Sequence, residues 1–242
     1  MNTLVKLDTA PGLVDRVYRS LLDAISSGAL APGQRITQEA VATQLAVSRQ
    51  PVLQALRQLR NDGFVHDAPG RGVLVAPLDV AWMGKVYEVR GALDALAARL
   101  AAEQRVQLDP GLVLRGRKAA RGRSVQPMID ADLAFHQAIY EASGNPLIGQ
   151  IAGQNWRHLH RVMGAVLQSS DQREAVWDEH ENIAAAIAAG DGKRAAALVA
   201  QHGESASRHL SKHLSQVLDN PAAPVAPTAA RTGRESRESR TR

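Results

Sequence analysis

The chain has 242 residues, of which 45 % are hydrophobic and 22 % are charged, and its formal net charge is +5. It has no cysteine, which excludes disulfides, a thiolate nucleophile and cysteine-ligated zinc. No apolar run approaches the roughly 20 residues of a membrane span. Aromatic residues make up only 3 % of the sequence, too few for RNA binding by base stacking. We therefore expect a cytoplasmic protein without membrane contact.

The first 76 residues have the pattern of three short helices followed by a hairpin. A stripe of apolar residues at helical spacing predicts the first helix. Thr37 is positioned to cap the second helix, and Ser48 is positioned to cap the third. β-prone stretches at 64–66 and 73–75 predict a hairpin. This order of elements is that of a winged helix-turn-helix, and we assign residues 1–76 to such a domain.

From residue 77 the pattern is helical, without a further strand signal. The predicted helices cover 80–104, 109–120, 127–142, 146–168, 172–189 and 191–216. Because short breaks separate them, residues 77–218 are expected to form an antiparallel bundle, with the basic run in 105–126 as a solvated surface. Residues 219–242 have almost no bulky apolar side chain and predict a disordered tail. The fold class is therefore mainly α, with a winged helix-turn-helix ahead of an all-helical bundle.

The third helix carries a polar face suited to double-stranded DNA. From Ser48 to Arg60 it has three positive charges and no negative charge. In a helix-turn-helix this helix enters the major groove, where arginine matches guanine and glutamine matches adenine. The predicted DNA-contacting residues are Thr37, Ser48, Arg49, Gln50, Gln54, Arg57, Arg71 and Gly72. An isolated helix of this charge is more often a solvated surface, but the flanking turn and the glycine-tipped hairpin favour DNA binding.

A second set of residues has the chemistry of a metal site. Asp132 and His136 are four residues apart on a predicted helix and so project from one face. His180 and His202 lie on two later helices, so a bundle can bring all four side chains to one point. One carboxylate and three imidazoles suit a divalent ion, with Zn²⁺ preferred and Ni²⁺, Mn²⁺ or Fe²⁺ as alternatives. Taken alone, this spacing more often belongs to surface or core histidines than to a metal site.

The stretch Gly33–Val75 contains a family-specific set of motifs. They are Leu45-Ala46-Val47-Ser48-Arg49-Gln50-Pro51-Val52, Ala55-Leu56, Leu59, Asp62-Gly63 and Gly70-Arg71-Gly72. With these residues the stretch resembles the GntR family of bacterial transcription factors. Leu53 and Gln54 stand where the family usually has Arg-Glu, so the DNA contact of that arginine does not carry over, and Leu53 can instead touch a thymine methyl.

The helical part has a second set of family motifs. They are Asp132-Leu133-Ala134-Phe135-His136, Glu179-His180, Ile183, Ala186-Ile187, Gly190-Asp191, Ala195 and His202. These residues resemble the FCD effector domain of FadR-type GntR regulators, which implies that the aspartate and three histidines hold a metal ion. The resemblance also implies that Arg90 binds an effector carboxylate, although an ion pair with Asp94 explains Arg90 equally well. Arg157 and His160 are candidates for lining the effector pocket, with a packed or surface role as the alternative.

These features predict a transcriptional regulator and not an enzyme. A homodimer would bind a palindromic operator, and a small organic acid bound beside the metal would change its affinity for DNA, with relief of repression as the commoner family behaviour. A regulator that senses the metal ion itself is an alternative. A metal-dependent hydrolase is less favoured, because the adjacent general base, Glu179, is expected to point away from the site.

Overall fold

The structure is a computed structural model that describes residues 12–122, 124–167 and 174–219. In chain order its elements are α1 (Leu13–Ser26), β1 (Arg35–Ile36), α2 (Gln38–Gln44), α3 (Arg49–Asn61), β2 (Val65–Asp67), β3 (Val73–Val75), α4 (Val80–Glu103), α5 (Gly111–Ala120), α6 (Gln126–Ala142), α7 (Pro146–Val166), α8 (Ala175–Ala189) and α9 (Gly192–Asp219). The predicted mainly helical fold, with a winged helix-turn-helix ahead of a helical bundle, is confirmed.

The small sheet forms the wing of the N-terminal part. It is antiparallel with the order β1-β3-β2, so β3 is central. β1 was not predicted, because its two residues, Arg35 and Ile36, are too short to show a strand pattern. Gly72 has φ +92°, and a Cβ atom there would lie 2.4 Å from the carbonyl oxygen of Ile36. Glycine is therefore required for the tip of the wing to pack against β1.

The apolar faces of α1, α2 and α3 pack together beneath this sheet. Val52 and Leu59 of α3 are fully buried among them. Thr37 caps α2 as predicted, because its hydroxyl oxygen accepts a hydrogen bond from the Ala40 amide at 3.3 Å. Ser48 occupies the N-cap position of α3 without a capping bond from its side chain, which leaves that hydroxyl available for another partner.

The helical bundle is organised around α4. This helix packs lengthwise along α9 and also contacts α6, α7 and α8. Phe135, Leu159, Ile183 and Val199 contribute fully buried side chains from α6 to α9. α9 includes Asp219, the first residue of the predicted tail, and residues 220–242 lie outside the described part of the chain. None of the helices in the described ranges is both long and apolar enough to cross a membrane.

The basic segment within 105–126 is not entirely a solvated surface. It contains α5, in which Gly116 lies directly against the indole of Trp177. Arg117 is only 26 % exposed and forms ion pairs with Asp178 at 2.6 Å and Glu181 at 2.7 Å. α5 therefore packs on α8, and its basic character partly neutralises acidic side chains of that helix.

The winged domain and the bundle meet along α7. The ring of His158 stacks on Phe64 with 4.3 Å between centroids and 7° between planes. Arg161 donates a hydrogen bond to the carbonyl oxygen of Ala76. Burial lowers the pKa of His158, and it lowers the pKa of Arg161 to about 10. The contact between the two parts is thus an aromatic stack combined with a part-buried hydrogen bond.

Candidate functional site

Three helices bring the predicted metal ligands into one buried cluster. α6 carries Asp132 and His136, α8 carries His180, and α9 carries His202. All four side chains are buried, and one ligand atom from each lies within 4.8 Å of the others. Nε2 of His180 lies 3.3 Å from Nε2 of His202 and 3.4 Å from Oδ1 of Asp132. Two ligands at bonding distance from a tetrahedral Zn²⁺ are about 3.3–3.4 Å apart, so these spacings fit a divalent ion.

Burial controls the charge of this cluster. It holds the pKa of His136 well below the ordinary value, with the nearby Arg90 guanidinium as a further cause. Burial also lowers the pKa of His180 and raises the pKa of Asp132. The imidazoles of His136 and His180 are therefore neutral and retain the lone pairs that a metal ligand needs. The Nε2 atoms of His180 and His202 face each other, and a cation can bind the lone pairs of both.

Glu179 supports the cluster from outside, contrary to the expectation that it points away. Its Oε2 atom lies 2.7 Å from Nδ1 of His202. A proton on Nδ1 donated to this carboxylate leaves Nε2 of His202 unprotonated and directed at the cluster. The position of Glu179 directly before His180 did not reveal this role, because its partner is on another helix.

Arg90 joins the cluster to a network of buried polar groups. Its Nε atom donates to Asp94 at 2.9 Å, and its Nη2 atom lies 2.8 Å from Nε2 of His136. The hydroxyl of Tyr140 donates to the other oxygen of Asp94, and the guanidinium lies over the ring of Trp156 at 4.2 Å. The ion pair with Asp94 is thus present, and Arg90 also borders the ligand cluster. A cation and Arg90 are alternative partners for Nε2 of His136.

A cavity of about 110 Å³ opens beside this cluster. Tyr87, Arg90, Asp132, Glu179 and His202 line its polar side, and apolar side chains from α6 to α9 line most of the rest. Such a cavity, largely apolar with a few convergent polar groups, is the usual form of a small-molecule site.

Arg157 and His160 are placed elsewhere. Arg157 lies near the winged domain, with Nη2 3.9 Å from Oδ2 of Asp62. Nε2 of His160 accepts a hydrogen bond from the Gln126 amide at 2.7 Å. Neither residue is among those that line the cavity, because the inner stripe of α7 passes through Trp156 instead. Their role in effector binding stays a prediction without a contact to support it.

The polar face of α3 is open to solvent. The exposed residues of the predicted DNA-contacting set are Ser48, Arg49, Gln50, Gln54, Arg57 and Arg71, whereas Thr37 and Gly72 are half-buried. Arg49 forms a surface ion pair with Glu39 at 3.1 Å. Arg35 donates to the carbonyl oxygens of Pro69 at 3.0 Å and Arg71 at 2.7 Å, which fixes the wing loop. Arg35 was not predicted, because its partners lie more than thirty residues away in the sequence.

The winged helix-turn-helix with its basic face, followed by a bundle with a buried ligand cluster, defines a two-part transcriptional regulator. The family model for bacterial regulatory proteins of the gntR family matches residues 13–75, and the FCD domain model matches residues 85–205. The chain belongs to the GntR family and carries an FCD domain. Members of this family bind operator DNA and are transcriptional regulators, not enzymes.

Individual relatives agree with this assignment. The helix-turn-helix transcriptional regulator LutR of Bacillus subtilis is 28 % identical over an alignment covering 79 % of this chain and 98 % of LutR. McbR of Escherichia coli K12 is 26 % identical, with 70 % of this chain and 80 % of McbR covered. The solved structure of E. coli McbR/YncC superimposes with a TM-score of 0.71 at 22 % identity, covering 84 % of this chain and 99 % of that one. A Rhodococcus sp. RHA1 regulator gives 0.64 at 23 % identity, covering 81 % and 96 %. Both solved structures share the fold of this chain.

Proposed function

We propose that this regulator controls transcription in response to a small carboxylate metabolite that binds beside a divalent metal ion in the FCD domain. The observation that carries the proposal is the convergence of Asp132, His136, His180 and His202 in one buried cluster, two members of which, Asp132 and His202, line a cavity together with Arg90. The proposal assigns residues 1–76 to operator binding and residues 77–218 to sensing and dimerisation.

The exposed face of α3 supports the operator-binding part of the proposal. Arg49 would contact guanine, and Gln50 and Gln54 would contact adenine, while Ser48 and Arg57 would hold phosphates. The ion pair of Arg49 with Glu39 is a surface pair worth little, so DNA can replace Glu39 as the partner. Thr37, Arg71 and Gly72 would bring the start of α2 and the wing to the DNA backbone.

The buried cluster supports the metal-binding part. Asp132, His136, His180 and His202 would hold the ion, with Zn²⁺ the first candidate and Ni²⁺, Mn²⁺ and Fe²⁺ as alternatives. When bound, the ion supplies a positive charge that attracts a carboxylate oxygen. Arg90 offers the same carboxylate a guanidinium, whose paired donors match two carboxylate oxygens.

Self-association would place two DNA-binding domains on one palindromic operator. Exposed apolar side chains on α4 and α7 suit such a contact between copies; these are Val89, Leu96, Leu147 and Ile151.

The effector would act only through a difference in its affinity for the DNA-bound and DNA-free forms of the regulator. Repression relieved by the effector, in the cytoplasm where the operator lies, is the behaviour that we propose.

Operator binding is tested by gel-shift titration of the full chain. Arg49→Ala should weaken binding to the operator and abolish discrimination at one base pair, at a cost of about 1–3 kcal/mol. Arg57→Ala should weaken binding to operator and unrelated DNA alike and reduce the salt dependence. Arg99→Ala, an exposed arginine of α4, is the matched control. Equal affinities of Arg49→Ala and the unaltered protein would refute the assignment of α3.

Metal binding is tested by elemental analysis and titration calorimetry of the unaltered protein beside His180→Ala. Loss of a stoichiometric divalent ion in the variant is expected, and an unchanged metal content would contradict the ligand set. Operator affinity is then measured with and without the metal and a panel of organic acids. A response to acids only when metal is present supports the proposed function. A response to metal alone, with no acid effective, would favour the metal-sensor alternative.

A further inference from the structure

We infer that the effector is a monocarboxylic acid with a compact apolar body, not a polyhydroxylated or dicarboxylic acid. This inference rests on the proposed function and concerns the same cavity beside the ligand cluster. It follows from the way in which polar and apolar side chains divide the wall of that cavity.

One side of the cavity can bind a single carboxylate. Arg90 is fully buried, and its positive charge is balanced within the protein by Asp94 at 2.9 Å. Asp132 and His202 of the cluster line the same side, with His136 and His180 behind them in the cluster. No other lysine or arginine lines the cavity wall formed by the described residues. On the wall that these described residues form, a second carboxylate at the far end of a dicarboxylic acid would therefore have no cationic partner.

The opposite side of the cavity is apolar. Four of the bundle's helices and the residue after α7 contribute Met128, Met163, Leu167, Ala175, Val176, Trp177, Ala206 and Leu210. Apart from Glu179 and the other residues of the polar side, the polar groups of the lining are Ser205, His209 and the buried Nε1 atom of Trp177. Glu179 is already bound to His202 at 2.7 Å. A row of hydroxyl groups on the effector would lose its water against this wall without gaining enough partners in return.

The size of the cavity limits the apolar body. Its volume of about 110 Å³ is smaller than the roughly 150 Å³ of an apolar cavity that holds benzene, which suits a body of about four to five carbon atoms. Each methylene buried in such a space raises affinity about fourfold. Lengthening the acid by three methylenes should thus raise affinity about 60-fold until the space is filled.

The test is calorimetry of the Zn²⁺-loaded full chain with acetate, butanoate, pentanoate, phenylacetate, gluconate and malate. We expect affinity to rise from acetate to pentanoate, and gluconate and malate to bind at least tenfold more weakly than pentanoate. Pentanamide, which lacks the negative charge, should not bind. Tighter binding of gluconate or malate than of pentanoate would overturn this inference while leaving the proposed function intact. Failure of every acid to bind a metal-loaded protein would instead overturn the effector part of the proposed function.

A substitution in the cavity wall tests whether the apolar body of the effector binds in this cavity. Ala206 is half-buried on α9 and lines the apolar side, so Ala206→Met fills the space without removing a core side chain. It should reduce the affinity for pentanoate at least tenfold and leave the affinities for acetate and Zn²⁺ unchanged. Leu218→Met, an exposed position on the same helix, is the matched control. An unchanged affinity of Ala206→Met for pentanoate would overturn the assignment of the apolar wall.

Discussion

Glu179 offers a sharp test of the metal centre, because it touches a ligand without being one. Its carboxylate accepts from Nδ1 of His202 at 2.7 Å, and Glu179→Gln keeps the shape but removes the charge. Loss of such a partner typically weakens metal binding 10- to 100-fold. Because the Glu179 side chain is 45 % exposed, solvent screens the interaction, and we expect the lower end, about tenfold.

That tenfold loss has a thermal consequence. At a free metal concentration of about 100 Kd, binding stabilises the folded protein by about 2.7 kcal/mol, and a tenfold weaker site at the same concentration contributes about 1.4 kcal/mol. For a chain of this size each kcal/mol shifts Tm by about 2–4 °C, so the metal-induced rise in Tm should shrink by about 3–5 °C. Differential scanning calorimetry with and without Zn²⁺, at several metal concentrations, measures this difference.

The matched control is Glu204→Gln, the same substitution at an exposed position of α9 that pairs loosely with Arg208 at 3.8 Å. It should bind Zn²⁺ like the unaltered protein. If Glu179→Gln also binds Zn²⁺ with unchanged affinity, the carboxylate does not orient His202, and the reasoning about the support of the metal ligands is refuted.

Two further predictions concern packing and pH. Gly116→Ala places a Cβ atom about 2.1 Å from the indole of Trp177 and should lower the free energy of unfolding by about 1–3 kcal/mol in urea titration. Gly203→Ala, where nothing lies within 4 Å, should be neutral or stabilising, and equal losses in both variants would contradict the steric argument. Burial lowers the pKa of His158, so below about pH 6.5 the unfolded chain binds a proton that the folded protein does not, and stability should fall as the pH decreases from about 7 to about 5. His158→Phe, which keeps the stack on Phe64, should lose less stability over the same pH range. An unchanged dependence of the free energy of unfolding on pH would exclude a contribution from His158.

Most of the helices were predictable from the sequence, because they bury residues at helical spacing and are bounded by glycine, proline or capping residues. The short strand β1 was not, since two residues show no period and Ile36 pairs with β3 through contacts distant in sequence. The basic residues of α5 looked like a solvated surface, because the partners of Arg117 lie on α8, more than sixty residues later.

The candidate site was likewise predictable from the sequence only in part. Asp132 and His136 share a helix face, which helical spacing predicts, and family motifs connect them with His180 and His202. The bond between Glu179 and His202 depends on how α8 and α9 rotate relative to each other. Helical spacing does not fix that rotation. Arg157 was predicted near the effector because it lies on the middle helix of the bundle, but neighbouring residues of a helix point about 100° apart, and Trp156 takes the inward direction.

The helix α7 touches both halves of the molecule within three consecutive residues. Trp156 lies against Arg90 and His136, whereas Arg157 reaches toward Asp62 and His158 stacks on Phe64. Any free energy that a metabolite transmits through this helix to the operator must act in the other direction with equal size. A promoter occupied by this regulator should therefore alter the metabolite concentration at which the regulator responds, so its sensitivity is a joint property of protein and DNA.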